Sequence, residues 1–230
     1  MHPRKAIILS EFDVFAENYE DLVGGSIRIT GESPEYFTQY KADYIARKMA
    51  PIGGKLLDYG CGVGLLSLHL KSRFAATRVD GFDPSKESLQ RVDPSLLSQG
   101  IFTSEIEELA TGYDTIVLSN VLHHVKPAER RALVRRIQTR LAPGGRLVVF
   151  EHNPLNPLTR WAVSHCPFDE GVELLPAGKV RALCGTALQN PRTDYIVFFP
   201  RRLAWLRPLE QFLGWCAAGA QHVTVCRREN

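Results

Sequence analysis

Residues Lys55–Ser67 read KLLDYGCGVGLLS, and this stretch decides the fold. A short apolar run, a glycine-rich turn and an apolar-periodic segment follow one another, which predicts a buried strand that turns tightly into a helix. Beyond it, short apolar runs alternate with helical stretches as far as GRLVVFEHN at 145–153. YIVFFP at 195–200 and HVTVCRR at 222–228 predict two closing strands. Such alternation is typical of a parallel sheet with helices on both faces, so an α/β fold is expected.

The glycines of this turn have the spacing Gly-x-Gly-x-Gly, at Gly60, Gly62 and Gly64. The dinucleotide fingerprint is Gly-x-Gly-x-x-Gly, and Leu65 stands where its last glycine belongs. Asp58 lies just before the first glycine, where a carboxylate would repel a pyrophosphate but would suit a cationic or amino-bearing ligand. The loop therefore disfavours a nicotinamide dehydrogenase.

A second carboxylate follows the next predicted strand, in GFDPS at 81–85. Asp83 stands 23 residues after Gly60, at the C-terminal end of that strand. A carboxylate in this position can accept two hydrogen bonds from the vicinal hydroxyls of a ribose. Together with the glycine loop and Asp58, it indicates a nucleoside with a positive, non-phosphate substituent. S-adenosylmethionine fits that description.

Five segments resemble, in order and spacing, the motifs of class I S-adenosylmethionine-dependent methyltransferases. They are LLDYGCGVGLLS, GFDPS, SEIEEL, TIVLSNVLHHV and LAPGGRLVVFE. The resemblance covers roughly residues 12–153. It implies a Rossmann-like, seven-stranded, mostly parallel sheet of order 3-2-1-4-5-7-6, with the last strand antiparallel. It also implies an S-adenosylmethionine-dependent enzyme of the small-molecule type, with S-adenosylhomocysteine as product.

The same resemblance assigns cofactor contacts. Glu105 would accept a hydrogen bond from the adenine amino group, and the backbone of Ile106 would contact the ring. Asn120, after the fourth strand, would border the methionine part. The full predicted cofactor set is Tyr19, Asp58, Gly60, Cys61, Gly62, Asp83, Pro84, Glu105, Ile106 and Asn120.

Four histidines are candidates for chemistry at the acceptor. Methyl transfer is an in-line displacement, and an alcohol or ring N–H acceptor needs a general base near neutral pH. His152, in EHNP after the fifth strand, and His124 are the predicted catalytic residues. His123, Trp161 and His165 are the predicted substrate contacts. Alternative interpretations are packing near the cofactor for His123 and His124, and bonding to loop backbone for His152.

No metal site is predicted, because His123, His124, His152 and Cys166 lack the spacing of helical ligands. The five cysteines are odd in number and contain no CxxC pair. This argues against a disulfide framework and a zinc knuckle, and it favours reduced thiols in a cytoplasmic protein. The sequence shows neither the apolar core of a signal peptide nor a run of ~18 apolar residues that could span a membrane.

One domain is predicted for residues 1–230, because only the C-terminal strand completes the sheet that starts at Lys55. Three variable stretches form the expected acceptor pocket: an N-terminal helical cap at about 1–50, an irregular insertion at about 153–171 and a second insertion at about 201–218. Their aromatic residues indicate a heterocycle, phenol, quinone or lipid-linked sugar as acceptor. The stretch 201–218 is expected to be helical, either as core or dimer packing or as a lid, with a weak membrane contact left open. A monomer and a homodimer both remain open.

Composition and charge indicate which class of acceptor is favoured. The chain has 230 residues, 44% of them hydrophobic, and a net charge of +3. Because the charge is mild and no nucleic-acid module is visible, a small-molecule acceptor is favoured over RNA. Ser119–His123 also lacks the Asn/Asp-Pro-Pro-aromatic pattern of enzymes that methylate exocyclic base amines. The alternatives are an RNA or protein methyltransferase and a non-catalytic S-adenosylmethionine-binding protein.

Overall fold

A computed structural model of the protein describes residues 30–49, 53–169 and 171–230. A seven-stranded sheet forms the centre of this part. The strands are β1 (Lys55–Tyr59), β2 (Arg78–Phe82), β3 (Phe102–Thr103), β4 (Tyr113–Ser119), β5 (Leu141–His152), β6 (Gln189–Ile196) and β7 (Gln221–Arg227).

The strand order across the sheet is β3-β2-β1-β4-β5-β7-β6. All pairs from β3 to β5 are parallel, and β7 runs antiparallel to both β5 and β6. The predicted Rossmann-like sheet, with its seven strands and antiparallel last strand, is therefore confirmed. Because the chain crosses from one side of β1 to the other, a crevice opens at the carboxyl ends of β1 and β4, where open parallel sheets bind ligands.

Helices pack on the sheet between the strands, and several shorter 3₁₀ turns connect them. The α-helices are α1 (Pro34–Met49), α2 (Leu65–Arg73), α3 (Lys86–Leu89), α4 (Pro94–Leu97), α5 (Arg130–Arg140), α6 (Pro157–Ser164) and α7 (Ala177–Cys184). The 3₁₀ segments include Ile106–Glu108, Pro167–Asp169 and Arg201–Phe212.

Two apolar clusters form the core, one on each face of the sheet. Leu57 of β1 belongs to the cluster covered by α5 and α7, whereas its neighbour Leu56 belongs to the cluster covered by α1 and α2. The same alternation separates Val149 from Val148 in β5. Because successive side chains of a strand point to opposite faces, this pattern confirms helices on both faces.

Two local predictions are corrected by the structure. The sixth strand lies at Gln189–Ile196 and ends before most of the predicted YIVFFP stretch, because Val197 has a left-handed φ of 60° that interrupts the extended backbone. The insertion at 153–171 is not wholly irregular. Asn156 caps α6 by accepting a hydrogen bond from the Thr159 N–H at 3.0 Å, and Pro157 is the first residue of that helix.

Part of the predicted N-terminal cap lies outside the described residues, and so does Tyr19. The rest of the cap is α1, whose side chains Ala42, Tyr44 and Ile45 pack in the core. Among the described helices, none combines the length and apolar character needed to cross a membrane. The single domain over 1–230 remains a prediction.

Candidate functional site

A cavity of about 1010 Å³ opens at the carboxyl ends of β1, β4 and β5. Pockets for one small ligand are typically ~300–1,000 Å³, so this cavity has room for a nucleoside cofactor together with a small acceptor. Two parts of its wall differ in chemistry. The glycine half consists of Asp58, Gly60, Gly62, Asp83 and Asn120, and the histidine half consists of His123, His124, His152 and Asp169.

The glycine loop turns sharply beneath the cavity. Gly60 and Gly62 have φ values of 81° and 53°, which favour glycine. The Gly60 N–H donates to the Phe82 carbonyl at 2.7 Å, and a Cβ at this position would lie 2.5 Å from Cγ2 of Val121. At Gly62, by contrast, an added Cβ would meet no described heavy atom within 4 Å. The backbone at Gly62 is therefore open to a ligand.

Asp83 ties the end of β2 to this loop. Its Oδ2 accepts a hydrogen bond from the Gly62 N–H at 2.7 Å, and its Oδ1 accepts one from the Ser85 N–H at 2.9 Å. A carboxylate oxygen has lone pairs for more than one donor, so these bonds hold Asp83 in place and still allow it to accept from a ligand. The predicted position of Asp83 beside the glycine loop agrees with this geometry.

Asp58 is a buried carboxylate in the wall of the cavity. Its Oδ2 accepts a hydrogen bond from Ser67 Oγ of α2 at 2.7 Å, whereas its Oδ1 has no hydrogen-bond partner among the described residues. Burial raises the pKa of Asp58 to about 6, although the bond from Ser67 acts in the opposite direction. Since a buried polar atom without a partner is costly, a cationic ligand group would stabilise this oxygen.

Lys41 of α1 also lines the cavity, and the sequence analysis missed it. The residue is only 3% exposed, and its Nζ donates to Ser119 Oγ at 2.8 Å. Burial lowers the pKa of Lys41 to about 8, and the nearby carboxylates of Glu151 and Asp58 oppose that shift. The spacing of residues in the sequence could have indicated that Lys41 is buried, because Lys41 shares one helical face with the buried Tyr44 and Ile45. A lysine within an apolar stripe is unusual unless it has a partner.

Buried ion pairs organise the histidine half. His123 Nδ1 lies 2.6 Å from Glu151 Oε2, and Glu151 Oε1 accepts a hydrogen bond from the Leu122 N–H at 2.8 Å. On the other side, Asp169 Oδ1 lies 3.4 Å from His123 Nε2 and 3.5 Å from His124 Nε2. The ring centroids of His123 and His152 are 5.4 Å apart. Carboxylates thus flank His123 on both ring nitrogens.

The three histidines differ in charge. Burial disfavours the charged form of His123, but Glu151 and Asp169 outweigh this and raise its pKa to about 9. Burial lowers the pKa of both His124 and His152 to about 4, and a charged His123 lowers it further. At neutral pH the imidazoles of His124 and His152 are therefore uncharged.

Phe198 and Phe199 form an aromatic wall of the cavity. Phe198 and Phe199 follow β6, and Glu210 Oε1 accepts hydrogen bonds from both of their N–H groups at 3.0 Å. The guanidinium of Arg207 lies 4.3 Å from the ring centre of Tyr36 in α1 and pairs with Glu32. The segment Arg201–Phe212, predicted to be a core, dimer or lid element, thus holds α1 and the aromatic wall together.

The structure brings most of the predicted site residues into the cavity and leaves others outside. Glu105 has a 61% exposed side chain, 3.8 Å from Lys86 Nζ, and Ile106 packs in the core, so neither forms part of the cavity wall. Those that line the cavity are Asp58, Gly60, Cys61, Gly62, Asp83, Pro84, Asn120, His123, His124 and His152.

Trp161 and His165, the other two predicted substrate contacts, also lie outside the cavity wall, and their contact with an acceptor stays a prediction. Their rings stack on each other with centroids 4.4 Å apart, and Trp161 is 42% exposed. Leu158 and Ala162, four residues apart in α6, line the cavity. Because a helix turns every 3.6 residues, Trp161 and His165 lie on a different face.

The sheet order, the glycine loop and the two carboxylates define a class I methyltransferase fold of the kind that uses S-adenosylmethionine. Residues 35–227 match a family model described as a methyltransferase domain, Methyltransf_23. The chain therefore belongs to this methyltransferase family. This confirms the predicted family, with S-adenosylmethionine as its cofactor.

Curated relatives match part of the chain. Ubiquinone biosynthesis O-methyltransferase of Aeromonas salmonicida is 29% identical over 150 residues, which are 61% of this chain and 59% of that protein. Ribosomal RNA small subunit methyltransferase C of Chromohalobacter salexigens is 32% identical over 119 residues, which are 48% of this chain and 35% of that protein. The chain therefore spans less than two thirds of the length of these relatives.

A solved structure matches almost the whole fold. A Thermotoga maritima S-adenosylmethionine-dependent methyltransferase, described as a possible histamine N-methyltransferase, has a TM-score of 0.68 over 96% of this chain and 100% of that chain. The sequence identity is 14%, so this likeness shows the fold and not the acceptor.

Proposed function

We propose that the protein transfers a methyl group from S-adenosylmethionine to a small-molecule acceptor, a heterocycle, phenol, quinone or lipid-linked sugar. The observation that carries this proposal is one cavity that joins the glycine half to the histidine half. When bound, the cofactor supplies an electrophilic methyl group on a sulfonium sulfur. The chain's own residues have to hold the acceptor in line and receive a proton if the acceptor atom carries one.

The glycine half fits the cofactor on two observations. Asp58 Oδ1 is a buried acceptor without a partner among the described residues, and the backbone at Gly62 is open. On this proposal, Asp58 binds the amino group of the methionine part and Lys41 binds its carboxylate, because their charges are complementary. Asp83 accepts from the ribose hydroxyls. Asn120, whose Oδ1 also has no partner in the described part of the chain, borders the methionine part.

His152 is the proposed proton acceptor. It is the last residue of β5, it lines the cavity, and its ring lies close enough to Lys41 of α1 for their charges to interact. His123 is less suited to this role, because its two nitrogens face Glu151 and Asp169. His124 is the second candidate, since it also lines the cavity.

Two features support a small acceptor. Part of the cavity wall is aromatic, because Tyr36, Phe37, Phe198 and Phe199 line the cavity, and this suits a flat or apolar molecule. The name of the Aeromonas salmonicida relative also places that protein in ubiquinone biosynthesis. The Chromohalobacter salexigens relative supports RNA as the second candidate, because its name describes it as a ribosomal RNA methyltransferase.

The proposal is tested in two stages. Calorimetry should show S-adenosylhomocysteine binding, and binding of nicotinamide cofactors in its place would overturn the proposal. Methyl-labelled S-adenosylmethionine is then incubated with a panel of phenols, quinols, heterocyclic amines and lipid-linked sugars, and with ribosomal RNA. Label is expected in a small molecule. Transfer to RNA alone, or to nothing in the panel, would refute the small-molecule assignment.

The role of His152 has its own test once an acceptor is found. His152→Ala should remove most of the turnover while it leaves S-adenosylhomocysteine affinity close to that of the unchanged protein. His165→Ala is the matched control, because His165 lies outside the cavity wall. Unchanged turnover in His152→Ala would show that His152 is not the base.

A further inference from the structure

The side chains of His123, His124 and Asp169 converge on one point in the histidine half. Each offers one ligand atom, and the three atoms lie within 4.8 Å of one another. We infer that these residues bind a divalent cation of the zinc type. No metal site was predicted from the spacing of the histidines and Cys166, because the third ligand is a carboxylate in the turn Pro167–Asp169.

The distances fit coordination better than hydrogen bonding. Asp169 Oδ1 lies 3.4 Å from His123 Nε2 and 3.5 Å from His124 Nε2, beyond the usual ~2.7–3.2 Å of an N–H···O bond. Around a tetrahedral zinc ion with ligand distances of ~2.1 Å, neighbouring ligand atoms are about 3.4 Å apart. The two distances from Asp169 Oδ1 to the histidine nitrogens therefore already match the spacing of zinc ligands. The third distance, between the two histidines, needs a movement of at most ~1.4 Å, and His124 retains 18% side-chain exposure.

Glu151 provides a second, independent observation. Its Oε2 lies 2.6 Å from His123 Nδ1, and its Oε1 is held by the Leu122 N–H at 2.8 Å. A carboxylate that accepts the Nδ1 proton of a histidine leaves the lone pair on Nε2, and this is the usual arrangement behind metal-binding histidines. That Nε2 is the atom directed toward Asp169.

The site has the form of a catalytic rather than a structural metal centre. Three protein ligands leave a fourth position of a tetrahedral ion open, and these ligands line the cavity. On the proposed function, an acceptor hydroxyl would occupy that position, its pKa would fall, and His152 would receive its proton. This role, which favours an oxygen acceptor, rests on the proposed function, whereas the cation site rests on the geometry alone.

The test measures metal binding to the purified chain after treatment with a chelator. Titration with Zn²⁺ in a calorimeter should show one ion per chain, and Co²⁺ should give the intense visible absorption of a tetrahedral complex. Asp169→Asn and His124→Gln should each weaken Zn²⁺ binding by at least about 100-fold, and Glu151→Gln by about 10-fold to 100-fold. His165→Gln, outside the cavity wall, should bind like the unchanged protein.

Two results would overturn the inference. One is no stoichiometric binding at up to millimolar Zn²⁺, which would leave His123 as a protonated imidazole between two carboxylates. The other is binding that Asp169→Asn and His124→Gln leave unchanged, while circular dichroism shows both variants folded. S-adenosylhomocysteine affinity, measured on the same samples, separates this inference from the proposed function. If S-adenosylhomocysteine binds and Zn²⁺ does not, only the cation site is refuted. If Zn²⁺ binds and S-adenosylhomocysteine does not, only the proposed function is refuted.

Discussion

The two halves of the cavity are built from different parts of the chain. In the glycine half, Asp58 lies near the end of β1 and Asp83 follows the neighbouring strand β2, and most of the contacts lie between Asp58 and Ser85. In the histidine half, side chains come from the ends of β4 and β5 and from the turn Pro167–Asp169. Local sequence specifies the first half, and tertiary packing assembles the second. Substitutions in the glycine half should therefore change folding stability and cofactor affinity, and substitutions in the histidine half should change turnover of the acceptor.

Gly60→Ala is expected to have the largest effect. The left-handed φ of 81° costs about 1–2 kcal/mol for an L-residue, and the 2.5 Å contact with Val121 adds about 1–3 kcal/mol. Urea unfolding should show this loss as a lower midpoint. Gly178→Ala is the control, since an added Cβ there meets no described atom within 4 Å. Equal midpoints for the two variants would mean that the glycine loop does not need its tight turn.

Asp83→Ala should weaken S-adenosylhomocysteine binding by about 100-fold, because charged hydrogen bonds contribute ~1.5–3 kcal/mol each. Both the ribose contact and the bond that positions Gly62 would be lost. Calorimetry measures the change. Asp93→Ala is the matched control, since Asp93 makes a similar bond to the Ser95 N–H at 2.8 Å but lies outside the cavity wall. An equal loss in both variants would argue against a specific role for Asp83.

Lys41→Met tests the residue whose charge interacts with Glu151, the partner of His123, and with Asp58 of the glycine half. S-adenosylhomocysteine affinity should fall by about 10-fold to 30-fold, since a charge-assisted hydrogen bond to the carboxylate is lost. Lys48→Met, at an exposed position of the same helix, should leave affinity unchanged. If Lys41→Met binds normally by calorimetry, Lys41 has a structural role alone.

The pH dependence of cofactor binding tests Asp58. Its pKa of about 6 lies above the ordinary carboxyl value, so Asp58 takes up a proton as the pH falls through 6 and loses the charge that attracts an amino group. S-adenosylhomocysteine affinity should then fall by up to about 10-fold per pH unit below 6. Asp58→Asn should bind weakly with a flat profile over this range. A flat profile in the unchanged protein would contradict the assignment.

Glu210→Ala should have the smallest effect and should be confined to the aromatic wall. The amides of Phe198 and Phe199 would lose their shared acceptor, so their hydrogen exchange should accelerate about 10-fold. Amides of β1 should keep their protection. Glu107→Ala, at an exposed carboxylate away from the cavity, is the control. Unchanged exchange would show that Glu210 does not hold this wall.

The sequence predicted the features that depend on local pattern. Alternating apolar runs indicated the parallel sheet, and the positions of Asp58 and Asp83 at the carboxyl ends of two neighbouring strands placed both carboxylates at one edge. The resemblance supplied the strand order, which periodicity alone does not determine. These predictions succeed because the carboxyl ends of adjacent parallel strands meet in space.

The rest depends on contacts between distant segments. Asp169 reaches His123 only through the fold of the insertion, and Lys41 reaches Ser119 only because α1 packs beside β4. Trp161 lies outside the cavity wall because it is on another face of α6, and a segment expected to be irregular gives no basis for separating helical faces. At Val197, a β-branched residue in a left-handed conformation is contrary to intrinsic preference, and no local signal predicts it.

The position of β7 affects how the chain is made. This strand lies between β5 and β6, although it follows both of them in sequence. Until residues 221–227 leave the ribosome, two strand edges therefore have no partner in the sheet, and one of them belongs to the strand that carries Glu151 and His152. Unpaired edges invite pairing with other chains. Synthesis through β7 is thus the step that gives both of these strand edges their partner.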